Sequence, residues 1–115
     1  MKIFHLALEA AWNDAQATGV YAVSTLGLDV SEVGFMHCSQ AEQVDGVFEK
    51  YYTAVTEPII RLTIDTDLLS SPWQLDDVPG AELPFPHIYG PLDIDAVARV
   101  TDLREQGGTF RAPNP

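Results

Sequence analysis

The stretch Phe35-Met36-His37-Cys38-Ser39-Gln40-Ala41-Glu42-Gln43-Val44-Asp45-Gly46-Val47-Phe48-Glu49-Lys50-Tyr51-Tyr52 carries two periodicities in succession. Residues 35–38 read as a strand, with Met36 and Cys38 on one face and Phe35, His37 and Ser39 on the other. Ser39 stands at the position of a helix N-cap, and Glu42, three residues on, supplies the second half of a capping box. Over 40–52 the period lengthens, so that Val44, Val47, Phe48 and Tyr51 form one stripe, predicted to pack on a sheet. Gly46 lies inside this helix at a cost of about 1 kcal/mol relative to alanine.

Working outward from this unit, residues 2–6 read as a strand and 8–17 as a helix. Leu8, Ala11, Trp12 and Ala15 share one face of that helix, and Gly19 suits its stop. Val20 to Ser24 is extended, and 26–34 reads as a surface loop. On the C-terminal side, Pro58 opens a strand, Ile59 to Ile64, in which Ile60, Leu62 and Ile64 alternate with Ile59, Arg61 and Thr63. Residues 65–71 read as a turn with a short helical piece, 73–75 as a strand and 76–86 as a loop bearing proline and glycine. His87 to Tyr89 is extended and ends at Gly90-Pro91, Asp93 caps one helical turn, and Ala98 to Leu103 closes the sheet. Short strands with two main helices predict an α+β domain over 1–104, with 105–115 as a C-terminal tail.

The length of 115 residues suits one domain, which at this size buries roughly 65% of the surface its unfolded chain exposes. Seventeen acids against six bases give a formal charge of -11, a field that repels nucleic-acid phosphates and anionic lipid headgroups. The single cysteine, Cys38, excludes an intrachain disulfide and fits a reducing compartment. The amino terminus runs directly into a strand with no apolar leader, and no segment approaches the ~18 apolar residues that span a bilayer. Cytoplasmic localisation is the expectation.

All three histidines fall in predicted strands. By alternation, His5 shares a face with Ile3 and Ala7, His37 with Phe35 and Ser39, and His87 with Tyr89. If these strands are neighbours, the three imidazoles line one cleft, a composition that suits a small ligand. The helix start at Ser39 would add free amides to that cleft. His37 and His87 are the candidate general acid and base, because imidazole titrates near neutral pH. His5, Ser39, Tyr89 and Tyr52 are the candidate ligand contacts. A strand histidine is as often structural, with a ring nitrogen tied to a backbone carbonyl. The separations of 32 and 50 residues between the histidines match no local metal motif, so no metal is expected. Cys38 points away from its neighbour His37 and reads as a core residue. Arg61 reads as a surface ion-pair partner, and Asp76-Asp77 as loop residues without a partner.

Three blocks also resemble the uncharacterised bacterial family catalogued as domain of unknown function 952. They are Ile3-Phe4-His5-Leu6-Ala7, then Gly34-Phe35-Met36-His37-Cys38-Ser39 with Gln43-Val44, and Phe85-Pro86-His87-Ile88-Tyr89-Gly90-Pro91-Leu92. The resemblance spans residues 2 to about 103. It implies a distant relation to the ADP-ribosyltransferase-like fold, a split, mostly antiparallel sheet that holds NAD in a central cleft. His5 takes the position of the first-strand residue that contacts the ribose or adenosine, and His37-Cys38-Ser39 the position that shapes the nicotinamide pocket. The late strand of that fold commonly carries a glutamate, whereas this chain reads His87-Ile88-Tyr89 there. Where family members often place an acid just after the tryptophan near residue 73, this chain has Gln74 and Leu75. These departures argue against ordinary ADP-ribosyl transfer. The RNA 2'-phosphotransferases of the same fold use histidines instead of that acid, but they rely on arginines that the charge of -11 does not suggest here.

Three readings follow. The first is a cleft that binds a small nucleotide-like ligand, with NAD as ligand or substrate, and transfers or hydrolyses it. The second is a small-ligand binding module without chemistry. The third is an interaction protein with structural histidines.

Overall fold

The computed structural model describes residues 1–25 and 28–103. The segment 105–115, expected as a tail, lies outside the described residues. Along the chain run β1 (Lys2–Leu8), α1 (Glu9–Thr18), β2 (Val20–Tyr21), β3 (Val23–Thr25), β4 (Leu28–Asp29), α2 (Val30–Val33) and β5 (Met36–His37). Then follow α3 (Val44–Tyr51), β6 (Ile59–Asp65), β7 (Trp73–Asp76), β8 (Phe85–Ile88), β9 (Leu92–Asp93) and β10 (Val97–Asp102). The class is α+β with antiparallel pairing, as the sequence predicts.

Two three-stranded sheets dominate, ordered β1-β6-β10 and β5-β8-β7. They meet at one isolated bridge between Phe4 and Ser39. Phe4 N–H donates to Ser39 O at 2.9 Å, and Ser39 N–H to Phe4 O at 2.7 Å. The first sheet is covered on both faces. Ile3, Ala7, Ile60, Leu62 and Ile64 enter a core with Trp12, Ala15, Tyr21, Met36, Cys38 and Ile88. Phe4, Leu6 and Ile59 enter a second core with Val44, Phe48, Tyr52 and Leu103. Double burial is why β6 reads as a near-continuous apolar run.

Several expectations need correction. Ser39 is no cap, because its backbone is spent on the bridge to Phe4. The cap falls one residue later: Gln40 N–H donates to Gln43 Oε1 at 2.8 Å, a 3-10 turn spans Ala41–Gln43, and the α-helix starts at Val44. This shifts the buried stripe to Val44, Phe48 and Tyr52. Tyr52 donates its hydroxyl to Leu6 O at 3.3 Å, while Tyr51 is 56% exposed. The expected loop 26–34 contains β4 and the one-turn helix α2, capped by Asp29 with Glu32 as its capping-box partner. Arg61 is no surface residue, being buried with its guanidinium over the Phe4 ring.

Gly90 fixes the end of β8. Its φ of +156° disfavours a side chain, and an added Cβ would lie 2.5 Å from Ser71 Oγ and 3.0 Å from Ser71 Cβ. Ser71 itself donates to Pro91 O at 2.7 Å, and Tyr89 N–H donates to Pro72 O at 2.7 Å, so relief would break the Ser71–Pro91 bond or shift the backbone. Gly90→Ala is expected to cost about 1–3 kcal/mol of stability, measured by urea unfolding.

Candidate functional site

The outer face of the β5-β8-β7 sheet carries the densest group of polar and aromatic side chains among the described residues. His37 and His87 are directly opposite each other on β5 and β8. The N–H and C=O of His37 bond away from β8, to Ser24 Oγ and His5 Nδ1, so this is a close, non-hydrogen-bonded pair. The two rings lie 5.0 Å apart, edge to face. Phe35 stacks on His87 at 4.1 Å and contacts the edge of His37 at 4.8 Å, and Tyr89 borders Phe35 at 5.7 Å.

Asp76 ties the group together from β7. His87 Nδ1 lies 2.7 Å from Asp76 Oδ2, the Tyr89 hydroxyl donates to the same oxygen, and Gln74 Nε2 donates to Oδ1 at 2.6 Å. These donors, Tyr89 first, hold the Asp76 carboxyl below the usual carboxylate range, although partial burial opposes them. The same contact raises the Tyr89 phenol. An ionised carboxylate only accepts, so His87 Nδ1 is the donor and its Nε2 carries the lone pair in the neutral ring. That Nε2 is buried without a hydrogen-bond partner, in a side chain only 4% exposed. His37 is exposed, yet partial burial, followed by the proximity of His87, lowers its pKa. A groove of about 390 Å³ adjoins the cluster, between Asp29-Val30-Ser31 at the start of α2 and Tyr89-Gly90-Pro91.

The structure therefore brings His37, His87 and Tyr89 together and places the other three candidates elsewhere. His5 lies on the core side, 3% exposed and edge-on to Tyr21 at 5.5 Å. Its Nδ1 donates to His37 O at 2.5 Å, and burial lowers its pKa to about 4 despite that bond. Ser39 is buried at the bridge, with its main-chain groups bonded to Phe4, and Tyr52 is in the second core. The helix start expected at Ser39 falls at Gln40 instead. Asp76, read as a partnerless loop residue, is the group the sequence analysis missed. The predicted strand 73–75 stops one residue short of it, although Gln74 and Asp76 share a face by simple alternation. Cys38 is buried in the core, where burial pushes its thiol far up. Among the described residues no group of three or more His, Cys, Asp or Glu side chains is arranged to hold a metal ion, and no helix is long and apolar enough to cross a membrane.

An α+β domain of paired antiparallel sheets with a carboxylate-anchored histidine on an outer face defines the class. The chain belongs to the family described as protein of unknown function (DUF952), whose model matches residues 6–100. It is similar to the crystal structure of protein CC0527 from Caulobacter crescentus, at 25% identity over 89% of this chain and 85% of that one, with a TM-score of 0.76. The solution structure of CC0527 covers 91% of this chain and 95% of its own at 23% identity, with a TM-score of 0.69. No curated protein matches the chain.

The His5 pKa of about 4 has a thermodynamic consequence. Below about pH 6.5 the unfolded chain takes up a proton at His5 that the folded chain refuses, so stability falls as the pH drops from 6.5 towards 4. The loss attributable to this residue is on the order of 3 kcal/mol and levels off below the folded pKa. Urea midpoints across pH 4–7 should show it, and His5→Asn should remove about one proton from the pH slope.

Proposed function

We propose that the His37–His87–Asp76–Tyr89 cluster binds a small ligand and performs acid–base chemistry on it. The observation that carries this reading is the anchoring of His87. Asp76 takes its Nδ1–H and so presents Nε2 as a proton acceptor beside a second imidazole. Two imidazoles at 5.0 Å disfavour double protonation, so the pair acts as one acid and one base. The lowered pKa of His37 favours its neutral, proton-accepting form. Tyr89, 38% exposed and next to the groove, would orient the ligand together with the Phe35 face.

The ligand class that we favour is nucleotide-like, with NAD as the first candidate, and the reaction is a transfer or hydrolysis. Support comes from the aromatic rings, which suit a planar base, and from the resemblance to the ADP-ribosyltransferase-like fold. The two sheets joined at a single bridge accord with a split sheet. In this proposal Asp76, from the neighbouring strand, supplies the carboxylate that β8 lacks.

Thermal shift with NAD, ADP-ribose, adenosine and nicotinamide tests the binding half. A ligand at a hundred times its Kd adds about 2.7 kcal/mol, a rise of several degrees in Tm, and His87→Ala should abolish it. No shift with any of them at millimolar concentration removes the nucleotide reading. If one of these ligands is turned over, Asp76→Asn should lower kcat by about 10²–10⁴ through loss of the His87 tautomer. The covering of Nε2 by its neighbours favours a second reading, a binding module without chemistry. It predicts the same thermal shift and no ligand turnover.

A further inference from the structure

The main-chain groups of His37 on the outer edge of β5 are both taken by side chains from other elements. Ser24, fully buried on β3, donates its Oγ to Phe35 O at 2.7 Å and accepts from His37 N–H at 3.3 Å. His5, on β1, donates its Nδ1–H to His37 O at 2.5 Å. One residue further on, β1 meets this segment by direct backbone pairing at Phe4–Ser39. At His37 no strand completes the ladder, and two side chains stand in its place.

The geometry points to His5 and Ser24 as positioning residues that set the imidazole of His37 against His87 and Phe35 on the far side of the sheet. The inference rests on the acid–base reading of that cluster for its functional meaning, but its physical content does not need a ligand. A strand residue held at both its N–H and its C=O has little freedom in φ and ψ, and its Cβ direction follows the backbone. The partners are suited to the task. Ser24 combines donor and acceptor in one hydroxyl, and His5 is wedged against Tyr21 with its ring buried. Leaving the His37 carbonyl unpaired against the buried His5 ring would be costly, so this bond is retained. His5 thus serves the site from the core side without touching whatever binds there.

The test uses the free protein. His5→Leu removes the donor at nearly constant volume, and His5→Asn keeps an N–H where Nδ1 was. Ser24→Ala removes the second anchor and covers the case in which His5→Leu fails to fold. The readouts are the imidazole titration of His37 followed by NMR and its rate of carbethoxylation by diethyl pyrocarbonate. In His5→Leu or Ser24→Ala the titration should move upward, towards the ordinary histidine value, by about threefold in the protonation equilibrium. Carbethoxylation should quicken, and His5→Asn should stay close to the parent. Leu62→Val, destabilised within the core, controls for simple loss of stability and should leave both readouts unchanged. Folded His5→Leu and Ser24→Ala proteins with unaltered His37 titration and reactivity would overturn the assignment, as would His5→Asn behaving like His5→Leu. Neither result depends on finding a ligand, so failure of the nucleotide reading and failure of this inference are separable.

Discussion

The architecture depends on a seam. Two three-stranded sheets touch through one reciprocal pair of hydrogen bonds, Phe4 with Ser39, and then part. Buried main-chain groups left behind by such a parting must be paired or the fold loses stability for each one. Ser24 and His5 pair them at His37. Those two side chains allow the sheets to diverge while β5 stays in place, and β5 is the strand that presents His37 to its neighbours. The core side of the seam is apolar, with Ile3, Met36, Cys38 and Tyr21, and its outer side is aromatic and polar. One short segment of backbone therefore separates an apolar interior from a face of aromatic and polar side chains.

The electrostatics of that face run against the usual pattern for a phosphate site. Its one carboxylate gathers donors from Tyr89, Gln74 and His87. This arrangement keeps Asp76 ionised, fixes the tautomer of His87 and leaves a lone pair without a partner. The formal charge of -11 adds a field of the same sign as this carboxylate, so a nucleotide of the proposed kind would be held through its base and not through its phosphates.

Much of the framework was legible in the sequence. The alternation of Ile60, Leu62 and Ile64, the helix ended by Gly19 and the separation of His37 and His87 from Met36 and Ile88 onto opposite faces follow from periodicity and turn chemistry. Three features were not. Ser39 and Gln40 both stand three residues ahead of a capping-box partner, and only the tertiary bridge to Phe4 decides between them. One residue of phase then exchanges the roles of Tyr51 and Tyr52. His5 shares its face with Ile3 and Ala7 as alternation demands, but β1 is buried on both sides, so a face that looked free is interior. Asp76 was lost to a strand end drawn one residue early, at the kind of boundary that periodicity marks least well. The Asp29–Glu32 capping box stands in the sequence, but a single helical turn carries too little apolar periodicity to be told from a loop.

The loop 77–84 between β7 and β8 is fastened at its far end. Gln40 Nε2 donates to Pro84 O at 2.8 Å, and Gln43 Nε2 donates to the same carbonyl at 3.1 Å. Both amides belong to the turn that opens α3, so the hairpin is laced to a helix outside its own sheet. A free loop would let its base fray and dilute the carboxylate at its mouth. Lacing it shut keeps the local concentration of Asp76 at the imidazole high, since the entropy of closing the loop is already spent before any visitor arrives.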